Sequence, residues 1–368
     1  MADITGNNSY LNSGLDFYIP EIHEDGYWVL LDNQSTPILK KFANATTYVD
    51  VRTIEGVRTS WYQDTLYTVN DLYGFAQVSA SDNFSGRTIQ LGADITINTG
   101  DAKNATVRAN WRKWTPIGVW DGNPSAQKFA GTFDGKQHTI SGLYVSETGK
   151  FLGLFGRIDN ATIQNLKLVN SYIENTSAGA NADKYVGSIA GLFGGTISDV
   201  QSDAIVVNNC KITGGLVGSA QTQTTIVDSE FKGSLYGADG MGGLIGWINA
   251  TTVTINHCLN SGDIHVQAMR TTAYEVGGLV GTAMTATLTI TDSLNAGTIQ
   301  LASGVPISYV GNLVGRVNWK STATLTNVYG KKQSKEDVDV REIYKTNVTR
   351  NNCELLDDIS EKLEAFYK

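Results

Sequence analysis

Apolar positions along most of this chain fall in short runs rich in Thr, Val and Ile, bounded by Gly, Asn, Asp and Ser. There is almost no 3.6-residue period, so the pattern predicts short strands rather than helices. The runs also repeat. A motif close to apolar-Gly-Gly-apolar-apolar-Gly recurs as Leu152–Gly156, Val186–Gly191, Gly214–Gly218, Gly242–Gly246, Val276–Gly281 and Val310–Gly315. Its final glycines stand 35, 27, 28, 35 and 34 residues apart, although Gly194 could replace Gly191 in the second copy. A second column follows each motif and begins at Ile163, Ile197, Ile226, Ile255, Ile290 and Leu325. Its first and fourth positions are apolar or small and are expected to face inward. Its third position is Asn165, Asp199, Asp228, His257, Asp292 or Asn327.

Two columns moving together define about six units of roughly 30 residues, none able to bury its own apolar face. The expected fold is all-β, a β-solenoid of about six or more coils in which each unit is stabilised by its neighbours. Glycine inside a strand costs about 0.5–1 kcal/mol relative to alanine, so its recurrence at fixed places implies corners that turn sharply or backbones that touch. Asn and Asp stacked at a corner can satisfy turn amides and adopt the left-handed conformation.

Composition narrows this further. With 39 Gly, 5 Pro and 17% charged residues in 368, there is neither a Gly-X-Y period nor an apolar run of membrane-spanning length. Membrane insertion is therefore not expected. A net charge of −8 offers no basic footprint for phosphate backbones, so nucleic acid is not an expected partner. Three cysteines without C-x-x-C spacing indicate neither a disulfide framework nor a metal site, and no cofactor motif appears. The first residues lack the basic and apolar regions of a secretory signal.

The repeats resemble the GLUG motif of bacterial surface proteins, including regions of immunoglobulin A proteases and adhesin-like proteins of gut bacteria. Trp114–Gly118, Phe129–Leu143 and the stretch from Asp71 to Ile95 are similar to the segment that leads into that family's repeats. The resemblance spans about residues 65 to 330 and implies a right-handed parallel β-helix of the pectin-lyase-like type. It says little about function, because one scaffold carries many modules. The expected organisation is an N-terminal cap or docking segment over residues 1–60, the β-helix over 61–330, and a charged C-terminal cap over 331–368. In the last, Leu355, Leu356, Ile359, Leu363 and Phe366 are spaced for one helical face, which would cap the solenoid or bind a partner.

Catalytic chemistry would have to rest on carboxylates. Asp199 and Asp228 on adjacent coils fall within the separation glycosidases use, yet they sit in a column repeated in every unit, which favours a structural ladder. No catalytic residue is assigned. Binding is better supported: the residues just after the final motif glycines, Arg157, Ser219, Trp247, Thr282 and Arg316, should face outward, and Ile158, Ala220, Ile248, Ala283 and Val317 inward. Trp247 would then be an exposed indole, or one covered by a loop or the N-terminal segment. Trp319, Trp111 and Trp120 could extend that surface, while Trp114 belongs to the core. The ligand-binding candidates are accordingly Trp247, Arg157, Arg316, Trp319 and Trp120.

The function expected from these features is non-catalytic adhesion or binding at a bacterial surface, with a host or bacterial surface glycan or protein as partner. A phage virion fibre or decoration protein on the same scaffold, suggested by an initiator Met without a signal, is one alternative. A carbohydrate-active enzyme is the other.

Overall fold

The computed structural model describes residues 26–29, 38–42, 65–79, 82–118, 128–179, 182–249, 251–268, 275–305, 310–334, 338–342 and 347–368. The chain divides into two compact units, residues 1–78 and 79–368. In the first, Trp28–Val29 pairs antiparallel with Ile38–Leu39, and a helix runs over Val69–Val78. That helix starts at a reciprocal cap: the Asp71 N–H donates to Thr68 Oγ1 (3.1 Å), and the Thr68 N–H donates to Asp71 Oδ2 (2.9 Å).

Among its described residues the second unit is all-β apart from two short helices, and its strands stack in parallel, each pairing with its counterpart one repeat later. Three sheets result. The first carries the strand that ends each glycine motif and the column strand after it. Its register runs Phe155, Ala190, Val217, Ile245, Val280, Val314 through the motif and Ile89, Phe133, Ile163, Ile197, Ile226, Ile255, Ile290, Leu325 through the column. The second sheet holds Tyr144–Glu147, Tyr172–Asn175, Ile205–Asn208, Ser234–Gly237, Asp263–Val266 and Ile299–Leu301. The third holds the strands that open each motif, among them Val186, Thr213, Met241, Val276 and Val310 in register. Ala190 opposite Val217 settles the second copy: its final glycine is Gly191. Pairing also continues past residue 330, with Asn347–Asn351 on Thr322–Thr326 and Glu354–Leu356 on Tyr329–Lys331.

The core lies between the three sheets. Leu152, Leu216, Leu244, Leu279 and Leu313 of the motifs are fully buried, as are all six leading residues of the column. The motif glycines mark places where backbones meet, as composition suggested. A Cβ on Gly246 would stand 2.6 Å from the Gly240 carbonyl and 2.7 Å from those of Gly218 and Thr213. Close approach is what these positions require, since the left-handed conformation belongs to the column instead. Asn165, Asp199, Asp228, His257, Asp292 and Asn327 all have φ between 47° and 53°, the region Asn and Asp tolerate best. Their side chains bond along the stack: Asn165 Nδ2 donates to Asp134 Oδ1 (2.9 Å), Asn327 Nδ2 donates to Asp292 Oδ1 (2.8 Å), and His257 Nδ1 lies 2.8 Å from Asp228 Oδ1. Burial opposes ionisation of Asp134, but bonds from Asn165, the Lys136 N–H and Gln164 outweigh it and hold its pKa below the usual carboxylate range.

A second, interior ladder crosses the core. Asn260 Nδ2 donates to Asn295 Oδ1 (2.8 Å), Asn295 Nδ2 donates to the Asn312 carbonyl (2.9 Å), and Asn312 Nδ2 donates to the Lys331 carbonyl (2.7 Å). The C-terminal helix is shorter than the apolar spacing predicts: Leu355 and Leu356 lie in the strand paired with Tyr329–Lys331, and only Ser360–Phe366 is helical, lying on the flank of the stack. Leu363 and Phe366 pack on Leu259, Leu294 and Ile359, Phe366 stacks on His257 at 4.3 Å, and the Tyr367 hydroxyl donates to Glu230 (3.0 Å).

Cys210 and Cys258 are buried, and Cys353 is partly exposed. Burial raises the Cys210 thiol and pushes the Cys258 thiol up to about 12, so neither forms thiolate near neutrality. Iodoacetamide at about pH 8 is expected to alkylate Cys353 alone in the native protein and all three thiols in denaturant. Intact mass gives the count, and three additions to the folded protein would contradict the sealed interior.

Candidate functional site

The first-sheet row predicted to face outward reads, in register, Arg157, Leu192, Ser219, Trp247, Thr282, Arg316. The residues after them, from Ile158 to Val317, are buried as expected. Ser219 and Thr282, however, are also fully buried. The reason is that residues opening the third-sheet strands stand over this row. Thr282 Oγ1 donates to Glu275 Oε2 (2.6 Å), Arg316 pairs with Glu275, and the Glu275 N–H donates to Asp239 Oδ1 (2.9 Å). Trp247 is half-buried in the same corner, its ring edge against Gly240, where a Cβ would stand 3.4 Å from Cε3. The row is thus a filled corner, with Trp247 covered by a loop rather than presented on an open strand.

The other candidates separate from it. Arg157 lies three strands from Trp247, and burial lowers its pKa against the opposing pull of Asp159. Trp319 is 60% exposed on the turn after the Arg316 strand, with Lys320 Nζ 4.5 Å above its ring. Trp120 lies outside the described residues. Trp111 is buried and donates to the Thr99 carbonyl (2.8 Å), so it adds no surface, while Trp114 is core as expected.

An open concavity lies on the outer face of the second sheet, a trough of about 590 Å³, within the size range of small-molecule sites. Alternation along each strand builds it: Val145, Ile173, Val206, Leu235 and Ile264 point inward and are fully buried. Between them two outward rows run along the stack, Tyr144, Tyr172, Ile205, Ser234, Asp263 and Ser146, Glu174, Val207, Tyr236, His265. The floor is Ile205, Val207 and Ser234.

Tyr236 and His265, on neighbouring strands, stack with centroids 4.5 Å apart and planes 4° from parallel. His265 covers one face of the Tyr236 ring; the other is turned toward Val207 on the preceding strand, and the half-buried ring lines the trough between them. Opposite stands the segment 98–112, fastened to the stack by Asn98, which bonds the Arg112 and Gly142 carbonyls, and by Asn170, which bonds the Gly100 carbonyl and the Ala102 N–H. This segment sets Lys103 and Arg108 on the rim, with the Arg108 guanidinium 3.7 Å above the Tyr172 ring. Burial, reinforced by Glu174, raises the Tyr172 pKa and keeps its hydroxyl neutral.

An aromatic face, an aliphatic floor and a rim of hydroxyl, amide and charged groups suit a ligand with both apolar and hydroxyl-rich surfaces. The rows that build the trough lie outside the glycine motif. The signal was the alternation in Tyr172–Asn175, Ser234–Gly237 and Asp263–Val266, read with Tyr236 and His265 at equivalent places.

No family model matches this chain. Over an alignment of 208 residues, 51% of the chain, it is 30% identical to halomucin of Haloquadratum walsbyi (strain DSM 16790 / HBSQ001), of which it covers 2%. In fold it is similar to the crystal structure of a predicted immunoglobulin A1 protease from Bacteroides ovatus, with a TM-score of 0.57 and 17% identity over 82% of this chain and 86% of that one.

Proposed function

We propose that this chain is a right-handed parallel β-helix that serves as a glycan-binding module at a cell surface, with the trough on the second sheet as its binding face. The observation that carries this reading is the stacked Tyr236–His265 pair lining the trough beside Val207, with polar and charged groups on the rims. Sugars present C–H faces that stack on aromatic rings and hydroxyls that bond to polar rims. Right-handedness is the sense that nearly all parallel crossover connections adopt. The likeness to halomucin, a protein named as a mucin, and the fold shared with a predicted immunoglobulin A1 protease support a surface setting. Among the described residues no helix is long and apolar enough to cross a membrane.

Affinity electrophoresis through gels containing a panel of surface polysaccharides tests the reading and ranks the two surfaces. Tyr236→Ala is expected to weaken retardation by at least about tenfold, the effect of losing one stacking face worth about 1.4 kcal/mol. Trp247→Ala should leave retardation unchanged. The opposite outcome would move the binding face to the Trp247 corner, and no retardation of wild type by any polymer would remove the glycan assignment.

A further inference from the structure

Building on the trough as a glycan site, we propose that its ligand is acidic: an oligosaccharide bearing carboxylate or sulfate, with the anion held by Lys103 and Arg108 while an apolar sugar face lies on Tyr236. The chain as a whole carries a net charge of −8, yet the rim on the 98–112 side of the trough is basic. Neither Lys103 nor Arg108 has an ion-pair partner among the described residues. The carboxylate that lines the trough, Asp263, stands on the far side with Tyr236 and His265, and it accepts a hydrogen bond from Thr298. Glu174, on the strand of Tyr172, accepts from Ser146 Oγ (3.5 Å) and is not part of the lining.

The two cations differ in what they contribute. Arg108 is fixed: its guanidinium lies on Tyr172, and Nη1 donates to the Ala102 carbonyl. A planar guanidinium held against a ring keeps its remaining N–H groups oriented for an oxyanion. Lys103 is exposed, just before the Asn104 cap of the turn of helix Ala105–Arg108, and supplies a mobile point charge beside it. The backbone beneath both is tied to the stack by Asn98 and Asn170, so the charges have a defined place relative to the sheet. Tyr172 and Tyr236 are two strands apart, about 10 Å along the stack at the usual strand spacing. An acidic group and a stacking ring on one short oligosaccharide can therefore meet their partners together.

An array of uronic, sialylated, sulfated and neutral oligosaccharides, read with wild type, Lys103→Glu and Tyr236→Ala, tests the assignment. Wild type is expected to prefer acidic sugars, more so at low salt because the rim is open to solvent. Lys103→Glu should lower binding to acidic sugars by about tenfold, a charge reversal at an exposed rim, and lower binding to neutral ones by far less. Lys103 is exposed, so folding is not at issue, and equal circular dichroism spectra confirm this. Wild-type binding that ignores the acidic group and is unmoved by Lys103→Glu would overturn the anionic assignment while leaving the glycan reading in place. Wild type that binds no sugar, or Tyr236→Ala that binds as wild type, would overturn both.

Discussion

Asn295→Ala is expected to lower the unfolding free energy of the 79–368 unit by about 4 kcal/mol. Asn295 is fully buried, and both ends of its amide are engaged: Oδ1 accepts from Asn260 and Nδ2 donates to the Asn312 carbonyl. Truncation removes three interior hydrogen bonds, to Asn260, the Asn312 carbonyl and Asn312 Oδ1, each worth about 0.5–1.5 kcal/mol; it leaves Asn260 Nδ2 with the longer bond to the Gly262 carbonyl (3.4 Å) and the Asn312 carbonyl with the Gly278 N–H (3.1 Å), and adds a cavity. The side chain also occupies the space beside Gly278 where a Cβ would otherwise stand, so the glycine and the asparagine of that unit fit as a pair. Asn352→Ala, at the exposed end of the column, should cost about 1 kcal/mol. Thermal unfolding followed by circular dichroism distinguishes the two, with a drop in Tm of about 8 °C for the first at roughly 2 °C per kcal/mol. A drop for Asn295→Ala no larger than that for Asn352→Ala would mean that the interior ladder is not what holds those strands.

Gly246→Ala is expected to cost about 3 kcal/mol through a different mechanism, overpacking. The atoms a methyl would meet are the carbonyl oxygens of Gly240, Gly218 and Thr213, all backbone, so no side chain can rotate away. Relief requires the corner between the first and third sheets to open. The glycines above and below, Gly281 and Gly218, make the same kind of contact, and the displacement would pass along the row. Gly304→Ala provides the contrast: φ is +85° but nothing lies within 4 Å, so only the conformational cost of about 1 kcal/mol remains. Urea titrations of the two variants measure the difference, and equal midpoints would show that the corner yields without strain.

The repeats made the interior legible. The column gave its own register because Ile163, Ile197 and their successors must all be inside, and the Asn/Asp positions marked a turn because a left-handed residue without those side chains is disfavoured. The outer surface was less legible. Alternation places Ser219 and Thr282 on the outer side of their own strand, but cannot say that Asp239, Gly240 and Glu275 stand over them. That covering comes from how one sheet meets another. The trough was hidden for a similar reason, since its walls come from strands and a loop far apart in sequence: Lys103 and His265 line the same space although 161 residues lie between them. Of the apolar stripe read as one helical face, Leu363 and Phe366 belong to the helix, while Leu355 and Leu356 extend the sheet because the Tyr329–Lys331 edge takes them as a strand; that the helix lies along the flank depends on Leu259 and Leu294 forming an outward apolar strip to receive it.

That placement bears on how the stack comes apart. A column of repeats bound only to nearest neighbours loses its terminal members one at a time, since each opening exposes a single interface. Here the last helix bypasses the intervening strands and ties the Glu230, His257 and Leu259 region to residues 363–367, more than a hundred positions later. Fraying from the C-terminal end must release that tie before the final strands can peel, and a closure of such length adds only a logarithmic entropy cost. The later half of the stack is thereby joined into one cooperative block, and amide exchange there should report a shared opening rather than a gradient toward the terminus.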